Sequence, residues 1–175
     1  DLIQQHRPFQ TAFLLEDKEM NENLKLDDAG YALIKKWEGV KTRAYLDSAG
    51  IPTIGIGFIR YTLGAKAGRK VRMGDTLTEA EIKAEFLNQV KTYEDGVRQA
   101  VRTELTQSQF NACVSLCYNI GVEAFDKSSV ARLLNERRYQ AACNAFALWD
   151  KVRGRVVRGL ANRRADEQKE FFRNG

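Results

Sequence analysis

Histidine and proline are nearly missing from this chain, with one histidine and two prolines among 175 residues. So few prolines leave long helices uninterrupted. The lone histidine, His6, lies in a poorly patterned N-terminal stretch. A Ser/His/Asp or Cys/His nucleophile has little to draw on, and a zinc site lacks its usual ligands. Acid–base chemistry, if there is any, falls to carboxylates. Cysteine is scarce and odd in number; Cys113, Cys117 and Cys143 form no disulfide framework and read as small core thiols. Long apolar runs are lacking too. The uncharged stretch from Tyr139 to Trp149 is far short of the ~20 apolar residues a membrane span needs, so no mature transmembrane helix is expected. The first residue is Asp1 rather than Met, which leaves a preceding leader or anchor open.

What is present is the composition of a folded domain, 43% hydrophobic and 29% charged, at a length of about one ~100–200-residue unit. Twenty-eight Lys and Arg against 23 Asp and Glu give a net charge of +5 and a pI near 9.2. That balance favours anionic partners, whether nucleic acid, a membrane surface or bacterial cell wall, without choosing among them.

Residues 1–26 show no convincing period beyond an apolar patch at Phe9, Phe13, Leu14 and Leu15, and read as an arm. Asp27 and Asp28 are N-caps for a helix carrying Ala29, Leu33, Ile34 and Trp37, stopped by Gly39, which leaves Glu38 at its C-terminal end. A strand from Arg43, a turn at Asp47-Ser48-Ala49-Gly50 and a second strand, Thr53 to Ile59, form a hairpin. Residues 60–77 read as a basic surface loop. Thr78 and Glu81 make a capping box for one long helix, about 78–97, with a stripe at Ile82, Phe86, Val90, Tyr93 and Val97. Thr106 and Gln109 open a second, buried helix ended by Gly121, and helical patterns follow at about 127–137, 139–150 and 162–172. The expectation is an α+β, mostly α fold. A small lobe with a β-hairpin (about 27–77) is joined by the connecting helix to an all-helical lobe (about 98–175), leaving a cleft where a ligand commonly binds.

Glu38, Asp47 and Thr53 follow one another at spacings of 9 and 6, each where an element meets that cleft. Glycoside cleavage needs one protonated carboxyl for the leaving oxygen and one ionised carboxylate to activate water or stabilise charge at the sugar. Glu38, beside Trp37, suits the first role through desolvation; Asp47, in a polar turn, suits the second. The hydroxyl of Thr53 is placed to hold the water, and Gly55 and Gly57 clear space for a polymer. From physics alone the same residues read more readily as a solvated helix end, a turn former, a β-branched strand residue and a twist or bulge.

The pattern E-x8-D-x5-T followed by I-G-x-G resembles the phage-type lysozymes, glycoside hydrolase family 24, the muramidase endolysins. The resemblance continues through Val71 to Glu81, Phe110-Asn-Ala, Tyr118-Asn119-Ile120-Gly121, Ala124-Phe125 and Ser128. It ends at Gly159-Leu-Ala-Asn-Arg-Arg164, so roughly residues 28–172 are covered. It implies a lysozyme-like fold and hydrolysis of the β-1,4 bond between N-acetylmuramic acid and N-acetylglucosamine in peptidoglycan, without metal or cofactor. By position it makes Glu38 the general acid, Asp47 the carboxylate that assists water and Thr53 its partner. Inversion at the anomeric carbon is implied, with carboxyls ~6.5–9.5 Å apart. Ile59, Tyr118, Ser128 and Arg163 are implied substrate-side residues. Core packing for Ile59 and Tyr118, an N-cap for Ser128 and a solvated helix-start charge for Arg163 are the competing readings. Arg163 matches a family arginine near the catalytic Glu, where a cation fixes the carboxylate's orientation. Phe58 stands where many relatives have His, so any ion pair of that His is lost.

Lys151 to Arg164 holds six basic residues and no acidic one. It reads as a surface that steers the protein towards wall carboxylates and phosphates; without interleaved aromatics or a helix-turn-helix signature, a nucleic-acid partner is not expected. The partner implied is peptidoglycan and the chain is expected to be a monomer. Action follows export or release, in the bacterial periplasm or at the cell wall. A lytic transglycosylase and a catalytically inactive cell-wall or nucleic-acid binding module are the alternatives.

Overall fold

Side-chain caps set where several of the helices begin in the computed structural model, which describes residues 20–173. Asp27 accepts the Gly30 N–H at 3.0 Å and opens α1, Asp28–Glu38. Gly39 closes it with φ 73°, a left-handed conformation that glycine adopts without the Cβ penalty of other residues. The chain then forms strand β1, Lys41–Leu46, and strand β2, Pro52–Gly55, an antiparallel hairpin. Lys41 pairs with Gly55 but Tyr45 with Thr53, so β1 carries two extra residues and bulges between them.

The second strand is shorter than its period suggests. Ile54 and Phe58 exchange backbone hydrogen bonds at 2.8 and 2.9 Å, folding residues 54–58 into a tight turn rather than a strand to Ile59. Gly55 explains it: φ is +66°, and a Cβ there would stand 2.4 Å from the Phe58 ring. Ile54, Ile56 and Phe58 are nonetheless all buried, as their alternation suggested.

The connecting helix is two helices, α2 (Glu79–Gln89) and α3 (Lys91–Ala100), divided at Val90, where ψ is −17°. The expected capping box at Thr78 and Glu81 is present, and Ile82, Phe86, Val90 and Val97 are fully buried. The two pieces serve different neighbours. On α2, Glu85 accepts the Thr62 hydroxyl at 2.6 Å and ties down the loop. On α3, Gly96 lies so close to Val122 that a Cβ would be 2.9 Å away. Helix α4, Gln107–Ile120, starts at the Thr106 capping box and is buried almost throughout. Short helices α5 (Val122–Asp126), α6 (Ser129–Asn135) and α7 (Tyr139–Ala145) come next, α5 packing on α4 and α6 on α7, and a 3-10 turn, Phe146–Trp149, follows.

Residues 151–156 form an exposed hairpin that the sequence does not announce: β3 (Lys151–Val152) and β4 (Arg155–Val156), joined by Arg153 (φ 50°) and Gly154 (φ 77°). Two consecutive left-handed residues make a primed two-residue turn, and Arg-Gly lacks the usual Asn-Gly or Asp-Gly signal. Helix α8, Arg158–Phe171, starts four residues before the expected point and packs along α4. Of the expected arm, residues 21–26 are built into the body. Asn21 bonds the backbone of Val101, Thr103 and Leu105, and the Leu26 N–H donates to Glu94 at 2.7 Å. The patch at Phe9 to Leu15, like His6, lies outside the described residues. All three cysteines are free and buried, with burial pushing the Cys117 thiol to about 12 and Cys143 to about 11. Among the described residues no helix is long and apolar enough to cross a membrane.

Candidate active site

The last residue of α1 and the tip of the first hairpin supply the chemistry. Glu38 Oε1 accepts from Arg163 Nη1 at 2.5 Å, and the side chain of Arg163 is only 5% exposed against 28% for Glu38. Arg163 therefore lies within the molecule and presents one edge to a partly open carboxylate. It is no helix-start charge, and its other donors go to Glu167 (3.2 Å) and the Ser115 carbonyl (3.3 Å) rather than outward to a ligand. Trp37, next to Glu38 in sequence, is tied to the far helix by its polar edge. Its indole N–H donates to Asp166 at 3.1 Å, and Lys36 joins the same carboxylate at 2.6 Å, so α1 is clamped to α8 just before Glu38.

Asp47 and Thr53 meet through Ile51. Asp47 Oδ1 accepts the Ala49 and Ile51 N–H groups at 2.8 and 2.9 Å, a side chain closing its own turn. The Ile51 carbonyl in turn accepts the Asp47 N–H at 3.0 Å and the Thr53 hydroxyl at 2.9 Å. With its proton committed there, the buried Thr53 oxygen keeps its lone pairs for another donor.

Tyr118 joins the two halves. Its hydroxyl donates to the Ile56 carbonyl, in the turn after β2, at 3.0 Å, and burial followed by the nearby Glu38 charge pushes its phenol above the usual range. Ile59 is 53% exposed, one residue beyond that turn. Ser128 is not gathered in: it is buried, caps α6 by accepting the Ala131 N–H at 3.2 Å, and lines a hollow with Arg102 and Asn135. A larger hollow of about 940 Å³ lies beside Lys25, Leu87 and Arg98 and includes none of the three candidate catalytic residues.

Residues 35–167 match the phage lysozyme family. The chain belongs to that family. It is 40% identical over 150 residues to the endolysin of Salmonella phage P22, covering 85% of this chain and 99% of that one. The endolysin of Bacillus phage PZA is 37% identical over 149 residues, and the chain spans about half (55%) of that longer relative. A crystal structure of a P22 lysozyme variant superposes with a TM-score of 0.77 at 38% identity, over 85% of this chain and 99% of that chain.

In this phage lysozyme fold a group behind the site escapes a reading of spacing alone. Glu167 is fully buried; its Oε1 accepts from the Ser115 hydroxyl (2.7 Å), Arg164 (3.0 Å) and Arg163 (3.2 Å), and its Oε2 lies 2.7 Å from Arg164 Nε. Burial pushes its carboxyl above the ordinary value, against the pull of Arg164, Ser115 and Arg163. The signal available in the sequence was Arg163, Arg164 and Glu167 at i,i+4 and i,i+3 on one helix, but a solvated face has the same spacing.

Proposed function

We propose that the chain is a muramidase of the endolysin type, cleaving the β-1,4 bond between N-acetylmuramic acid and N-acetylglucosamine in peptidoglycan. The observation that carries the reading is a carboxylate at the end of α1 held by a buried guanidinium, while the hairpin tip offers a second carboxylate and a hydroxyl that both bond the backbone of Ile51, the carboxylate its N–H and the hydroxyl its carbonyl. Glu38 delivers its proton to the glycosidic oxygen as the bond to the anomeric carbon breaks. Asp47 takes a proton from water, whose oxygen bonds to that carbon, and Thr53 orients the water by accepting its other hydrogen. Attack from the face opposite the leaving group inverts the centre, which calls for carboxyls ~6.5–9.5 Å apart. Ile59 and Tyr118 flank the substrate. The protein works as a monomer, without a nucleic-acid partner, on the bacterial wall outside the cytoplasmic membrane after export or release.

Mass analysis of muropeptides released from purified wall tests this, with Glu38→Gln in parallel. Hydrolysis leaves a free reducing muramic end, whose first-formed anomer is α, and Glu38→Gln clears no suspension. A 1,6-anhydro end would instead make the enzyme a lytic transglycosylase. Equal clearing by both proteins sinks the acid assignment, and clearing by neither points to a binding module.

A further inference from the structure

Among the described residues the most deeply buried carboxylate, Glu167, shares Arg163 with the one that is proposed to work. Glu38 is faced by Arg163 and Arg164 from α8, both of which it influences electrostatically or by contact, and by Tyr118 from α4. On its own helix Lys35 and Lys36 are turned to Glu79 and Asp166. Glu167 is faced by the same two arginines and, from α4, by Ser115 and the neutral Cys113 thiol. From the 3-10 turn the Trp149 carbonyl accepts Arg164 Nη1 at 3.3 Å, and from α7 the Cys143 thiol donates to the Gln168 carbonyl at 3.8 Å. The charges behind Glu38 are thus two guanidiniums and one carboxylate.

We propose that Glu167 is a positioning residue for the general acid: it holds Arg163 against Glu38 and cancels one of the two buried positive charges there. The inference rests on Glu38 being that acid. A general acid must carry its proton at working pH, and an adjacent cation favours the ionised form. Arginine cannot shed its charge, so two buried guanidiniums without a counterion would hold Glu38 ionised. Glu167, kept ionised against its burial by the two guanidiniums on its oxygens, supplies that counterion, and the Ser115 hydroxyl fixes the oxygen that grips Arg163. One net positive charge then remains beside Glu38, enough to orient it.

The test is the pH dependence of kcat for clearing purified peptidoglycan. Glu167→Gln keeps the shape but leaves net +2 behind Glu38, so the alkaline limb moves to lower pH by about one unit, a roughly tenfold lower rate on the descending limb. Glu167→Asp, which keeps the charge, and the double variant Arg164→Met/Glu167→Gln, which removes one charge of each sign, return the limb to its wild-type position. If Glu167→Gln does not fold, Arg164→Met alone makes the opposite change and its limb moves to higher pH. An unmoved limb, with activity falling only as the folded fraction falls, overturns the proposal; so does a shift that persists in the double variant. Clearing by Glu38→Gln at the wild-type rate brings down the acid assignment itself, and this inference with it.

Discussion

Asp47 has a structural task and a proposed chemical one, and the two separate at the level of one atom. Its Oδ1 closes the hairpin turn by accepting two backbone N–H groups, a bond that an amide oxygen can also accept. Asp47→Asn is therefore expected to fold with an unchanged circular dichroism spectrum and melting temperature while losing roughly 10²-fold or more in turnover, because the proton acceptor is gone. Near-normal clearing rates remove Asp47 from the mechanism. The candidates Glu38, Asp47 and Thr53 could be singled out together because one short helix end and one hairpin carry all three, so spacing reflects geometry. Arg163 lies 125 positions from Glu38, and only resemblance connected them. Sequence shows Trp37 only as the neighbour of Glu38; the bond from its ring nitrogen to Asp166 on α8 depends on tertiary packing.

Among the elements, the loop of residues 60–77 is held by electrostatics as much as by packing. Burial works against ionised Asp75, yet the Arg72 N–H, the Arg69 guanidinium and the Tyr61 hydroxyl hold its carboxyl down at about 2. A depressed folded-state value means that the stabilisation is complete above the ordinary aspartate range near 3.8 and disappears as pH falls through about 2. The shift corresponds to roughly 2 kcal/mol. In urea melts Asp75→Asn should thus be less stable than wild type by about that amount above pH ~5, and the gap should narrow steadily towards pH 2. A constant gap across that range removes Asp75 from the loop's stability. The elements that sequence reading placed well are those with caps: Thr78, Thr106 and Ser128 each accept the N–H three residues on. The break at Val90 and the 151–156 hairpin were hidden because periodicity is blind to a local change of ψ and to an uncommon turn pair.

For the whole molecule, α4 is the shared centre. Phe110, Cys113, Val114, Leu116 and Cys117 are all fully buried, and α4 packs against α1, α3, α5 and α8. Phe110→Ala removes a buried ring beneath the Arg98 guanidinium and is expected to cost about 3–5 kcal/mol. That lowers the melting temperature by roughly 10 °C, with far-UV and tryptophan signals falling together. Separate transitions would mean that the lobes unfold independently. Each end of the molecule is bound to this centre by polar side chains, Asn111 reaching Asp27 and Glu170, and Ser115 reaching Glu167. Those bonds connect α1, which carries Glu38, to α8, which carries Arg163.

Local order explains what could be read from residues alone: caps, hairpin, apolar stripes and the run of Glu38, Asp47 and Thr53 all depend on neighbours within about a dozen positions. The mostly helical fold with its small sheet was readable for the same reason. Which charges lie buried together was not, because burial arises only when α8 settles along α4 and against the end of α1. Three-dimensional packing turned an arginine-rich surface segment into an exposed hairpin at one end and, a few residues later, into the enclosed Arg163–Arg164–Glu167 cluster. A guanidinium is tolerated there because a carboxylate from its own helix and a hydroxyl from another arrive with it.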